Sequence, residues 1–134
     1  MDNRLKKILI VDDEKDLCEL LKKTLTKIGP YDVRTVSDPL QALQAAFDFF
    51  PDIILLDLIM PGKNGNEIAK EINHEETLKS IPIIFITAQA IKGKNNVRLA
   101  SEDKKQTYGY QVIAKPVNPF ELAKEINRTL SSEE

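Results

Sequence analysis

Along the chain, short and wholly apolar runs alternate with longer stretches in which apolar residues return every three or four positions. Ile8-Leu9-Ile10-Val11 is continuous and β-branched, which predicts a strand buried on both faces. Leu17, Leu20, Leu21, Leu25 and Ile28 follow at helical spacing, and Gly29-Pro30 stops that helix. Residues 32–36 read as a short strand. Ser37 or Asp38 is placed to cap a second helix, with Pro39 in its first turn. Leu40, Leu43, Phe47 and Phe50 are its expected apolar face. Ile53-Ile54-Leu55-Leu56 is a second buried strand and ends on Asp57. Met60-Pro61-Gly62-Lys63-Asn64-Gly65 is loop chemistry, and Ile68, Ala69 and Ile72 mark a short helix after it. Residues 83–86 form a third buried strand ending on Thr87. Val112-Ile113-Ala114 is a last one, ending on Lys115-Pro116. Phe120, Ala123, Ile126, Asn127 and Leu130 close an amphipathic helix. Between residues 89 and 108 the apolar spacing is irregular and Gly93 interrupts it, so a weak or broken helix is expected there.

Strands and helices in alternation imply a parallel sheet with helices on both faces. A length of 134 residues suits one domain, and no repeat or linker divides it. Hydrophobic residues at 42% and charged residues at 30% are those of an ordinary globular protein. A net charge of -2 supplies no bulk attraction to nucleic acid or to an anionic membrane. The apolar runs are too short to cross a bilayer, and residues 1–7 hold no apolar signal segment. Cys18 is the single cysteine, so no internal disulfide forms, which fits a reducing cytosol. Its place beside Leu17 and Leu20 reads as a packing or surface thiol, not a nucleophile.

The candidate chemistry collects where strands end. In an open parallel sheet the ligand site lies outside the carboxyl ends of the strands. Asp12 and Asp13, Asp57, Thr87 and Lys115 stand at those ends here. Three clustered carboxylates repel one another, and at least one pKa rises unless a cation intervenes. A hard divalent cation such as Mg²⁺ suits carboxylate, carbonyl and water oxygens. Neutralised in that way, a carboxylate can attack phosphorus and become an acyl phosphate. Lys115 would balance the added charge and the Thr87 hydroxyl would donate to a phosphoryl oxygen. Each residue also has a plainer reading. Asp12, Asp13 and Glu14 could be acids opening a helix, Thr87 a β-favouring residue and Lys115 a solvated lysine. Their placement on successive strand ends is what makes a site of them. His74, among Glu75, Glu76 and Lys79, has no partner at ligand spacing and reads as solvent-exposed.

Ile8 to Glu14, Asp57 to Gly65, Ile86-Thr87-Ala88 and Lys115-Pro116, in this order and spacing, closely resemble the receiver domain of two-component response regulators. The resemblance covers residues 7–130 as one receiver domain and leaves 131–134 as a tail. It implies a flavodoxin-like, doubly wound, five-stranded parallel sheet of order 2-1-3-4-5, an order that the general rule for such sheets already illustrates with a member of this family. It further implies Asp57 as phosphoacceptor and Mg²⁺ held by Asp13, Asp57 and the backbone carbonyl of Ile59, with Asp12 acting through water or as a secondary ligand. Thr87 would turn toward the phosphoryl group, Lys115 would pair with it, and the Lys115-Pro116 bond would be cis. The expected partners are a sensor histidine kinase or a histidine phosphotransfer protein, then an output protein. Neither nucleic acid nor membrane is engaged directly, a homodimer stays open, and the setting is cytoplasmic. The protein would assist its own phosphorylation and dephosphorylation without being a turnover enzyme.

The chain departs from the family pattern at two points. Val112 stands where an aromatic is usual, with Tyr110 two residues earlier on the same face of a regular strand. The span from Thr87 to Lys115 is also longer than is common, and the extra length falls in residues 89–108. A degenerate receiver acting only as an interaction module is therefore the alternative. A haloacid-dehalogenase-type phosphatase would need a second Asp where Ile59 stands, and no Gly-rich nucleotide loop is present. Ile59 and Gln89 are expected to flank the phosphoryl group and to slow its hydrolysis, and residues 92–105 are expected as a docking surface or mobile loop. The chain is expected to be either a stand-alone receiver or a piece of a longer protein.

Overall fold

The computed structural model describes residues 4–88, 91–93, 96–98 and 109–132, and only the backbone of 91–93, 96–98 and 132. Strand β1 (Lys6–Val11) leads to helix α1 (Lys15–Ile28), β2 (Tyr31–Val36), a 3₁₀ turn (Pro39–Gln41) and α2 (Ala42–Phe49). Then follow β3 (Ile53–Asp57), α3 (Gly65–Asn73), β4 (Ile83–Thr87), β5 (Ile91–Gly93), β6 (Asn96–Arg98), β7 (Gln111–Ala114) and α4 (Pro119–Ser132). The main sheet has five parallel strands in the order β2-β1-β3-β4-β7. With β7 as its fifth member, this is the expected 2-1-3-4-5.

Alternation along the central strands divides the core into two layers. Leu9, Val11, Ile54, Leu56 and Phe85 point to one face and pack with Ala42, Ala46 and Phe49 of α2 and Ile68, Ala69 and Ile72 of α3. Ile8, Ile10, Ile53, Leu55 and Ile84 point to the other, against Cys18, Leu21 and Leu25 of α1 and Leu122, Ala123 and Ile126 of α4. Strands β3 and β4 are buried at every position, which is why their sequences are continuous apolar runs. Residues at strand tips are thus held by both layers at once.

Helix ends follow local chemistry. Gly29 caps α1 and its N–H returns to the Leu25 carbonyl. The Asp38 side chain accepts from the Leu40 N–H, so Asp38, not Ser37, opens the turn that carries Pro39. Asn64 and Glu67 form a reciprocal capping box on α3.

Four expectations change. The buried face of α2 is Ala42, Ala46 and Phe49, while Leu40, Phe47 and Phe50 are exposed. Both sets recur at helical spacing, and the set containing two alanines lets the helix lie closer to the sheet. Leu20 and Phe120 also face outward, because Cys18, Leu21 and Leu25, and Leu122, Ala123 and Ile126, fill the core positions. In place of a weak helix after β4, β5 and β6 pair antiparallel, Ile91 with Arg98 and Gly93 with Asn96. Ile91 and Val97 favour strands. The remainder of residues 89–108, with Gln89, lies outside the described residues. Finally, α4 runs through Ser132, into the stretch expected as a tail. No helix among the described residues is long and apolar enough to cross a membrane.

Candidate functional site

The strand ends do converge. Asp12 and Asp13 follow β1, Asp57 is the last residue of β3, Thr87 the last of β4, and Lys115 follows β7. Asp12, Asp57 and Thr87 are buried, Asp13 is half-buried, and the Lys115 side chain is mostly covered. One oxygen each from Asp12, Asp13 and Asp57 lie within 4.8 Å of one another. Lys115 Nζ stands among them, 2.9 Å from Asp12 Oδ2 and 3.4 Å from Asp57 Oδ2. Its backbone N–H donates to the Thr87 carbonyl at 3.0 Å, which ties the lysine to the tip of the neighbouring strand. The Lys115-Pro116 bond is cis, as expected.

Local structure sets each position. Asp12 Oδ1 accepts from the Glu14 N–H at 2.9 Å, so this aspartate also fulfils the plain helix-opening role. Its Oδ2 has Lys115 within ion-pair distance but takes no hydrogen bond of good geometry, despite full burial. The Ile59 N–H reaches Asp57 Oδ1 at 3.4 Å. Ile59 itself is about half exposed and stands at the mouth of the site.

Charge and burial act against each other here. Burial, and then the Asp12 charge, push the Asp57 pKa from 3.8 to about 7, while Lys115 and the Ile59 N–H pull it down. Burial works against the Lys115 ammonium. Its close approach to the Asp12 carboxylate and the charges of Asp57 and Glu14 outweigh that and raise its pKa. One ammonium therefore faces three carboxylates. An all-oxygen donor set with excess negative charge and a poorly bonded buried carboxylate oxygen is what a hard divalent cation fits.

The structure adds two contacts beside the site. Gly65 begins α3 with its N–H on the Leu58 carbonyl at 2.8 Å, and a Cβ there would lie 2.4 Å from the Asp57 carbonyl oxygen. The signal was a glycine at the first position of a capped helix, where loop chemistry seemed explanation enough. Cys18 Sγ donates to the Asp12 carbonyl at 3.2 Å from below. Burial, then the Asp12 charge, push its thiol up to about 11, so it is an inert packing group. Glu14 adds a more distant carboxylate, 3.6 Å from Lys115 and largely exposed. His74 is exposed and sits at the end of α3 with Nδ1 2.6 Å from the Lys70 carbonyl oxygen, away from the cluster. A cavity of about 270 Å³ lies at the opposite edge of the sheet, lined by Lys6, Asp52 and Pro82 among others.

Residues 8–127 match the model of the response regulator receiver domain. The chain is 33% identical over 130 residues to the DNA-binding response regulator MtrA of Mycobacterium tuberculosis, covering 97% of this chain and 53% of that protein. It thus spans about half the length of the curated relatives it matches. Among solved structures, the chemotaxis protein CheY4 of Vibrio cholerae superposes with a TM-score of 0.78 at 29% identity, over 92% of this chain and 98% of that one. A receiver domain of a signal transduction histidine kinase from Syntrophus aciditrophicus gives 0.77 at 28% identity, over 95% and 91%.

Proposed function

Because the chain belongs to the response regulator receiver domain family, we propose that it accepts a phosphoryl group on Asp57 and changes its protein contacts when it does. The observation that supports this is the meeting of Asp12, Asp13 and Asp57 with Lys115 at the carboxyl edge of the sheet. Asp13, Asp57 and the Ile59 carbonyl would hold Mg²⁺, with Asp12 as a further ligand, and the bound cation would offset negative charge on the carboxylates and on the arriving phosphoryl oxygens.

The chain's own residues do the rest. A carboxylate oxygen of Asp57 attacks phosphorus, an O–P bond forms, and the P–N bond to a donor histidine breaks with the electron pair leaving on the imidazole. Lys115, already 3.4 Å away, pairs with the new charge. Thr87 donates from the adjacent strand tip. The donor is a sensor histidine kinase or phosphotransfer protein in the cytoplasm, and the chain assists the transfer without turning over as an enzyme.

Incubation with acetyl phosphate and Mg²⁺ tests this. The expected product is 80 Da heavier (the mass of HPO₃ added), labile to hydroxylamine, and absent in Asp57→Asn and with chelator. Label retained in Asp57→Asn would sink the assignment. An unlabelled wild type would favour the pure interaction module, the reading that Val112 in the aromatic's place supports.

A further inference from the structure

Glu14 occupies a helix-capping position without capping. It stands at the N-cap of α1 with an extended backbone. Its N–H donates to Asp12 Oδ1 at 2.9 Å, and its carbonyl accepts from the Cys18 N–H at 3.1 Å. A carboxylate so placed can serve the free N–H groups of the first turn. The Glu14 side chain makes no such bond. Its Oε2 lies 3.6 Å from Lys115 Nζ instead, almost as close as Asp57 Oδ2 at 3.4 Å. Asp12 and Asp57 are buried, whereas the Glu14 side chain is 59% exposed. Lys115 thus has buried carboxylates on its inner side and one solvent-facing carboxylate on its outer side.

That outer carboxylate is the one the site does not neutralise. With Asp57 as phosphoacceptor, a divalent cation and Lys115 together match the charges of Asp12, Asp13 and Asp57. Glu14 is left over, beside the ammonium that is to receive the phosphoryl oxygens. We infer, resting on that role of Asp57, that Glu14 is a specificity-determining residue which favours phosphodonors of low net charge over small dianions. The favoured class is a phosphoramidate, in which a protonated nitrogen cancels one charge of the phosphoryl group. A phosphohistidine presented by a protein belongs to it through its P–N bond. A carboxylate that merely anchored Lys115 would affect every donor alike. In each transfer an Asp57 oxygen forms the new O–P bond. Phosphoramidate loses its P–N bond, and the nitrogen leaves with the electron pair as ammonia. Acetyl phosphate loses the P–O bond to its acyl oxygen and leaves as acetate.

Phosphorylation rates of the full chain with acetyl phosphate, a dianion at neutral pH, and with phosphoramidate, a monoanion, test this at low ionic strength and saturating Mg²⁺. One charge acting on two across roughly 8 Å of water changes a rate about fivefold, and acting on one about twofold. Glu14→Gln should therefore speed acetyl phosphate about fivefold and phosphoramidate about twofold, and about 0.5 M salt should erase most of both gains. Glu14→Asp keeps the charge and should keep the wild-type ratio of the two donors. Calorimetric titration should find Mg²⁺ bound about fivefold more weakly by Glu14→Gln, since the lost charge attracted the cation. The melting temperature should not change, because no cap bond is lost. Glu76→Gln removes the same charge near the opposite edge of the sheet and should alter neither rate. Equal effects on the two donors, a slower reaction in Glu14→Gln, or an unchanged Mg²⁺ affinity would each overturn the inference and leave Asp57 as phosphoacceptor. A wild type that neither donor labels would overturn both.

Discussion

Replacing Asp57 with Asn should stabilise the protein at alkaline pH and do little at acid pH. The reason lies in burial without sufficient compensation: Asp57 is nearly inaccessible, Asp12 adds a like charge, and Lys115 is shared among carboxylates. Its pKa stands at about 7 in the folded chain against 3.8 for an ordinary aspartate. Between those values the folded state holds a proton that the unfolded state has released. Stability therefore falls as pH rises through this window and is flat above it. The whole gap corresponds to roughly 4 kcal/mol lost by pH 8. Asn keeps the shape and never ionises, and the pull of Lys115 is already counted in the raised pKa. The expected difference at pH 8.5 is therefore about 3–4 kcal/mol in favour of Asp57→Asn, or roughly 10–15 °C in melting temperature. At pH 4.5 the two proteins should agree within about 1 kcal/mol. Urea denaturation of both, in chelator at each pH, measures this directly. Adding Mg²⁺ at pH 8.5 should raise wild type more than the variant, because binding to the folded state adds to stability. An Asp57→Asn protein less stable than wild type at pH 8.5, or a difference that does not change with pH, would refute the electrostatic account.

Gly65→Ala should lower stability by about 2 kcal/mol or more, since its Cβ would meet the Asp57 carbonyl oxygen at 2.4 Å. Acetyl phosphate labelling of the variant should slow as well, and an unchanged rate would show that the backbone of residue 57 tolerates displacement. Ile59→Asn should shorten the lifetime of the phosphorylated state severalfold, as a polar side chain at the half-exposed mouth can orient water where isoleucine excludes it. A hydrolysis rate equal to wild type, followed by loss of label after the donor is removed, would count against that role.

The sheet was legible because its strands are buried on both sides. A run such as Ile53 to Leu56 has no polar alternative, and its length forbids a helix of any use. Faces of helices were less legible, because more than one periodic set can run along the same segment. On α2, Leu40, Phe47 and Phe50 compete with Ala42, Ala46 and Phe49, and hydrophobicity alone prefers the wrong three. What decides is how closely the helix approaches β1, a tertiary quantity absent from any local window. The β5–β6 pair illustrates the same limit: Ile91 and Val97 sit too near Gly93 to signal helix or strand by period. The acidic cluster could be read because the fold puts strand ends together whatever lies between them. Gly65 could not, since its role is defined by an atom eight residues earlier in the chain.

Tyr110 shows how the output side of the domain differs from its receiving side. It lies just before β7, and its ring meets Phe85 edge-on with centroids 5.0 Å apart. Its hydroxyl is hydrogen-bonded to Asn73 at the end of α3. Val112 packs into the same layer and pairs in register with Phe85. Phe85 and Thr87 share a face of β4, so Tyr110 is linked to the acidic site through one strand, while its hydroxyl is anchored at the surface by a different helix. The same-face expectation for positions 110 and 112 thus holds, but the aromatic has moved one strand repeat away from Lys115. A shift at Thr87 would reach Tyr110 only by moving Phe85, a fully buried ring in a close-packed layer. Any change transmitted by this route must therefore move β4, β7 and the end of α3 together, which makes the α3–β7 surface the place to look for a phosphorylation-dependent contact.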